Sequence, residues 1–292
     1  MTNPRTFELI GAPFDGAATL GWPGSRYAPA KIREALGWVT QRAVDGEVYS
    51  IETGETLPAP QIIDGGDADV IAHDLNETLT NVSDRVAASA RAGNVPILLG
   101  GDDSMLFAGT KGLHDAVDGE VAIIHFDAHL DAVHENRQQG RYSQSSGMRR
   151  SLELERVNRE NTIQIGLRHF SFPELHRFAE AEGPAQITAR RFARIGTEEA
   201  VAEILTHIVG AQHVHLSFDI DAIDPAHAPG AGAHEPGGMT SREALEIVGA
   251  LAPHCDSLTI AEVNPLKDVQ DLTVNLAAYL SYYFALFGAT RA

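Results

Sequence analysis

The most restrictive feature of this 292-residue sequence is a succession of short β-branched runs, apolar on both faces, separated by segments with helical spacing. Strand composition marks residues 7–12 (FELIGA), 61–63, Val95–Leu99 (VPILL), Val121–Phe126 (VAIIHF), 162–167 (TIQIGL), 213–220 (HVHLSFDI) and 257–263 (SLTIAEV). A strand with no polar face needs cover above and below, which a parallel sheet between helices supplies. Apolar residues recur at helical spacing over 70–92, 198–209, Ser241–Leu251 and 272–287. Thr240-Ser241-Arg242-Glu243 has the hydroxyl and early acid of a helix start. The alternation predicts a three-layer α/β/α domain with a mostly parallel central sheet and right-handed crossovers. The polar stretch 137–148 and the Pro/Gly-rich stretch 225–238 are expected to be loops rather than linkers, so the expectation is one domain over 1–292.

Charge narrows the function classes. The chain carries 22 Lys and Arg against 40 Asp and Glu, a net charge of −18, which argues against a nucleic-acid-binding face. Some of these carboxylates are candidates for converging on cations. The single cysteine, Cys255, excludes an intrachain disulfide and a Cys-rich zinc site, and reads as a small buried hydrophobe. No run reaches eighteen apolar residues and no leader-like run follows Met1; the expectation is a soluble cytoplasmic protein with no membrane partner.

Ligands in open α/β sheets gather at the carboxyl ends of strands. Four expected strand ends here are polar. Val95–Leu99 runs into GGDDS with Asp102 and Asp103, and Val121–Phe126 into DAHLD with Asp127, His129 and Asp131. The strand 213–218 leads into DIDAID with Asp219, Asp221 and Asp224, and the last carries Glu262 followed by Asn264 and Pro265. Alternate residues of an extended chain point the same way, so Asp127, His129 and Asp131 can face one point, as can Asp219 and Asp221. Two acidic clusters brought together repel by several kcal/mol unless cations lie between them. A carboxylate shared by two divalent ions about 3.5–4 Å apart is the simplest arrangement that removes the strain.

FDAHLD, SFDIDAIDP followed by PGAG and EPGG, and AEVNP resemble, in order, the signature blocks of the ureohydrolase (arginase/agmatinase) family, agmatinase-like branch. GGDDS stands at that family's first metal-binding block, and GAPFDGAATLGWPGSRYAPAKIREAL resembles its opening segment. The resemblance implies an arginase-like fold and two divalent ions. Asp103, Asp127, Asp131 and Asp219 would hold one; Asp127, His129, Asp219 and Asp221 the other, with Asp127 and Asp219 shared. It implies hydrolysis of a guanidino or amidino C–N bond by a metal-bridging hydroxide, releasing urea and an amine from an agmatine or guanidino-acid type substrate. Asp131 would hydrogen-bond the hydroxide and carry its proton, and Glu262 would bind the guanidinium. A homo-oligomer, trimer or hexamer, is implied as well.

Three departures accompany the resemblance. Asp103 stands where the family has His; five carboxylates and a hydroxide against two divalent ions then leave −2, one unit more negative than with His. So oxygen-rich a site suits Mn, with Ni as the alternative. Gln144 stands where related enzymes carry a His; it cannot shuttle protons, so its expected role is a hydrogen bond to substrate, with His134 or His169 as substitutes near the site. Ala231 and Ala233 replace Thr, and His234 replaces Pro, which points to altered recognition and puts His169 and His234 among the candidate substrate contacts. Two alternatives stay open: a formimino- or biguanide-type amidine hydrolase, and a metal-poor subunit of a hetero-oligomer.

Overall fold

The computed structural model describes residues 5–18, 21–135, 137–138 and 140–289; the N-terminal reading over residues 1–4 lies outside them. The chain opens with β1 (Thr6–Gly11) and α1 (Ala28–Thr40), then a hairpin of β2 (Glu47–Ser50) and β3 (Glu55–Pro58). β4 (Gln61–Asp67), α2 (Leu75–Arg91), β5 (Val95–Leu99), α3 (Ser104–Ala116) and β6 (Val121–Phe126) follow. Next come α4 (Gly147–Ser151), β7 (Val157–Ile165), α5 (Pro173–Ala181), β8 (Ala185–Ile187) and α6 (Ala189–Ile208). The chain ends with β9 (His213–Asp219), α7 (Ser241–Leu251), β10 (Ser257–Ala261) and α8 (Leu272–Gly288).

Eight strands form one sheet in the order β4-β1-β5-β10-β9-β6-β7-β8, and every pairing in it is parallel. The expected mostly parallel α/β architecture is present. Its two covered faces are visible residue by residue. Val95, Ile97 and Leu99 of β5 and Ala122, Ile124 and Phe126 of β6 belong to one apolar cluster, shared with α1, α6, α7 and α8. Leu98 packs instead with Leu79 and Val82 of α2 and Met105 of α3, and Val121 and Ile123 with Leu106. This is period-two alternation with apolar residues on both sides.

The order reverses around the centre. β5, β10, β9 and β6 come from distant parts of the sequence yet lie side by side, so four carboxyl ends meet within three strand spacings, about 15 Å. Close approach there requires glycine: a Cβ on Gly101 would lie 1.6 Å from the Phe14 carbonyl oxygen. Two devices hold α7 and the neighbouring loop. Thr240 and Glu243 form a capping box, and the Asp224 carboxylate accepts from the backbone N–H groups of Ala226, Gly237 and Gly238. Among the described residues, no helix is long and apolar enough to cross a membrane.

Candidate metal centre

Each of the four central strands delivers acids to one place. Asp103 follows β5, Glu262 follows β10, Asp219 ends β9, and Asp127 follows β6. Local hydrogen bonds set their directions. Asp127 Oδ1 accepts from the His129 N–H at 2.6 Å, Asp219 Oδ1 from the Asp221 N–H at 2.8 Å, and Asp221 Oδ1 from the Ala128 N–H at 3.0 Å. One oxygen of each carboxylate is thus anchored to backbone, leaving the other to face inward. Glu262 Oε1 accepts from the Asp103 N–H at 2.9 Å, which joins β10 to β5. Asp131 and Glu262 have φ of 43° and 60°, left-handed conformations that cost non-glycine residues energy and concentrate at functional sites.

Asp103, Asp127, Asp219, Asp221 and Glu262 are buried. Burial first, and the charges of Asp131, Asp219 and Asp127 next, push the Asp103 carboxyl well above the ordinary range. Asp131 is raised by burial and by Asp127, and Asp219 by burial and by Asp221. Glu262 is raised by burial and by Asp102. Burial would raise Asp127 too, but His125 and His129 beside it prevail and hold it low. Burial would lower His129, but Asp221 and Asp127 raise it. Its Nδ1 lies 3.0 Å from Asp221 Oδ2 and 3.3 Å from Asp127 Oδ1, and its Nε2 lies 3.6 Å from Glu235 Oε1.

The residues present fit divalent cations. Both oxygens of Asp103, Oδ2 of Asp127 and Nε2 of His125 are buried without a hydrogen-bond partner. Candidate ligand atoms group as Asp103, His125 and Asp127, and as Asp127, His129 and Asp221, with Asp127 common to both. Such a cluster of anions takes up protons or cations. A pH dependence follows. Raised carboxyls mean that the folded chain binds more protons than the unfolded one above the unfolded values of 3.8 and 4.5. The stability they permit is therefore full below about pH 4 and is lost as pH rises through their folded values. Cations displace those protons, so Mn affinity of the chelated chain is expected to climb about tenfold per pH unit for each proton released. Calorimetric titration with Mn at several pH values, in buffers of different ionisation heat, checks this; a pH-independent affinity contradicts it.

Beside the acids lies a cavity of about 330 Å3, lined among others by Asp103, His129, Asp131, Gln144, His169, Asp219, Asp221, Glu235 and Glu262. Gln144 stands in its wall with Oε1 buried and unpartnered. His169 packs edge-on against His129, with ring centres 4.2 Å apart, and its Nδ1 lies 3.1 Å from the Ala128 carbonyl. Two candidate histidines lie outside the cavity wall. His234, a candidate substrate contact, is exposed and outside the cavity wall, because its Nε2 turns back to the Pro229 carbonyl at 2.7 Å. His134 is likewise exposed, with its carbonyl bonded to Arg150.

Other polar residues at the strand ends serve the scaffold. Asp102, raised to about 6 by burial, accepts from the Ala17 N–H and from Ser104. Asn264 ties down the Trp22 and Pro23 carbonyls. Arg168 donates to the carbonyls of Asp221 and Glu235 and so clamps two loops of the cavity. Sequence reasoning passed over His125 and Glu235. The first was detectable, since His125-x-Asp127 extends the period-two array by one step; Glu235 had no signal beyond its place in EPGG.

Comparison with known proteins agrees with this fold. The description of the Arginase family matches residues 5–287. Proclavaminate amidinohydrolase of Streptomyces clavuligerus is 30% identical over 97% of this chain and 90% of its own length. Its structure superposes with a TM-score of 0.84, at 26% identity, covering 100% of this chain and 94% of that one. Formimidoylglutamase of Bacillus subtilis is 30% identical over 93% of this chain and 84% of its own length; its structure gives a TM-score of 0.86 at 28% identity, covering 99% and 88%. Guanidinopropionase of Pseudomonas aeruginosa is 30% identical over 96% of this chain and 86% of its own length. With the fold matched along its length and acids gathered at the carboxyl edge of its sheet, the chain belongs to the arginase family of hydrolases acting on C–N bonds of linear amidines.

Proposed function

We propose that this chain, as one catalytic domain over 1–292 assembled into a homotrimer or homohexamer, hydrolyses the guanidino C–N bond of an agmatine or guanidino-acid type substrate to urea and an amine. The observation that carries this reading is the convergence of acids from four adjacent strand ends, with unpartnered carboxylate oxygens on Asp103 and Asp127, beside a cavity that Glu262 also lines. Asp103, Asp127, Asp131 and Asp219 would hold one ion; Asp127, His129, Asp219 and Asp221 a second. The oxygen-rich set suits Mn, with Ni as the alternative. When bound, the ions supply Lewis acidity and an activated water.

The chain's own residues do the rest. Glu262, buried at the site, faces the planar guanidinium, whose charge favours the carboxylate form, and fixes its orientation. Gln144 Oε1 accepts from a substrate N–H. Asp131 takes the proton of the attacking water and delivers it to the leaving amine. His169, lowered by burial and by His129, remains a neutral hydrogen-bonding wall near neutral pH.

The tail of the substrate meets a wall that, among the described residues, contains no Lys or Arg, while Glu235 lies in it and Leu130, Val133, Phe170 and Phe172 supply apolar surface. An acidic wall favours an ammonium tail over a carboxylate tail. The test is a panel of agmatine, arginine, guanidinobutyrate, guanidinopropionate and formiminoglutamate, scored for urea and formamide. The expected result is urea, with kcat/KM for agmatine at least about tenfold above that for the guanidino acids, equivalent to roughly 1.4 kcal/mol. Similarity to the Bacillus subtilis formimidoylglutamase favours a second reading, a formimino substrate. Formamide as the main product would establish it.

A further inference from the structure

His125 is fully buried on β6, on the side facing Asp103, and neither of the two ligand sets proposed above includes it. Its neighbours fix its tautomer. Gln164 on β7 sits opposite it in register, and the Gln164 amide nitrogen lies 3.0 Å from the Leu130 carbonyl. A carbonyl only accepts, so that atom is the NH2 group, and its second hydrogen goes to His125 Nδ1 at 3.2 Å. With Nδ1 accepting, the ring proton sits on Nε2.

That nitrogen points into the acid cluster. Nε2 lies 3.2 Å from Asp127 Oδ2 and 3.9 Å from Asp103 Oδ2. All three atoms are buried and lack an aligned partner. A protonated nitrogen is no metal ligand, whereas it is the donor that two adjacent carboxylate oxygens lack. Asp103 also lies among the carboxylates of Asp127, Asp131 and Asp219, and neither of its own oxygens has a partner. We infer that His125 is a positioning residue of the metal centre: its Nε2–H, oriented by the Leu130–Gln164 relay, donates to the carboxylates of Asp103 and Asp127 and offsets the charge that Asp103 adds.

This inference rests on the binuclear reading proposed above, and the experiment separates the two. Mn is titrated into the chelated full-length chain by calorimetry, for the wild type, His125→Phe and His125→Gln, and again with Asp103→His combined with His125→Phe. His125→Phe keeps ring bulk and removes the donor; His125→Gln places an amide N–H near the lost Nε2. The expected loss in His125→Phe is about 10–100-fold in Mn affinity. His125→Gln recovers most of it, and the loss is smaller when residue 103 is neutral. Wild-type affinity in His125→Phe, or a His125 nitrogen directly coordinated to Mn by pulsed electron paramagnetic resonance, overturns the inference while leaving the binuclear reading intact. A wild-type chain that binds no Mn removes the reading beneath it. Should His125→Phe fail to fold, imidazole 15N resonances of the wild type decide: a bare Nδ1 and protonated Nε2 support the donor, and the opposite tautomer overturns it.

Discussion

Asp219→Asn is expected to make the chelated chain more heat-stable and at the same time abolish its activity. Asp219 is buried, and its carboxyl is pushed up by burial, by Asp221 and by Asp127. An amide keeps the acceptor that caps the Asp221 N–H but removes one of the mutually repelling charges. Removing a carboxyl whose pKa is raised removes a penalty present at neutral pH, each pKa unit of which is worth about 1.4 kcal/mol. That corresponds to roughly 2–4 °C per kcal/mol in a chain of this size class. The wild type gains when Mn is added, by about 4 kcal/mol at a thousandfold excess over its dissociation constant; the variant, lacking a shared ligand, gains little. Turnover should drop by roughly a thousandfold or more. Scanning calorimetry with and without Mn gives the answer, and a variant destabilised when chelated yet still metal-responsive would contradict the repulsion argument. The sign is diagnostic, because a buried carboxylate serving the scaffold would destabilise on the same substitution.

Glu262→Gln is expected to leave metal binding in place and remove recognition of the guanidinium. The side chain reaches the cavity from a left-handed backbone position, and its Oε1 is held by the Asp103 N–H. Glutamine preserves that acceptor and the shape, so the substitution deletes charge alone. Loss of a buried, charge-assisted contact to a planar cation costs about 2–5 kcal/mol, or roughly 30- to 5,000-fold in kcat/KM. Steady-state kinetics on agmatine alongside a count of bound Mn measures both halves. Unchanged kcat/KM would remove Glu262 from substrate binding; loss of Mn would make it part of the ion site.

The sheet was largely legible because strands buried on both sides leave an unmistakable composition, as in VPILL and VAIIHF. Elements that escaped lack such a pattern. α3 is buried almost all round, from Ser104 to Thr110 without a gap, so no polar stripe marks its period. The β2–β3 hairpin is mostly exposed, β8 has three residues, and α5 buries none of its nine. α6 starts earlier than its apolar spacing indicates, because a kink at Gly196 breaks the phase. At the site, the acids were visible as polar intrusions at apolar strand ends. What the sequence could not carry was convergence in space: the sheet order that seats β10 and β9 between β5 and β6. His234 illustrates the converse, since a loop residue beside a signature block turned outward to bond the Pro229 carbonyl.

Anomalous diffraction from crystals of the full-length chain soaked in Mn tests most directly whether these acids are folded together around cations. Two peaks about 3.5–4 Å apart, flanked by Asp127 and Asp219 and each within coordinating distance of both, are predicted. No peak at the carboxyl ends of β5, β10, β9 and β6, in crystals whose chain hydrolyses amidines after exhaustive chelation, would contradict the account.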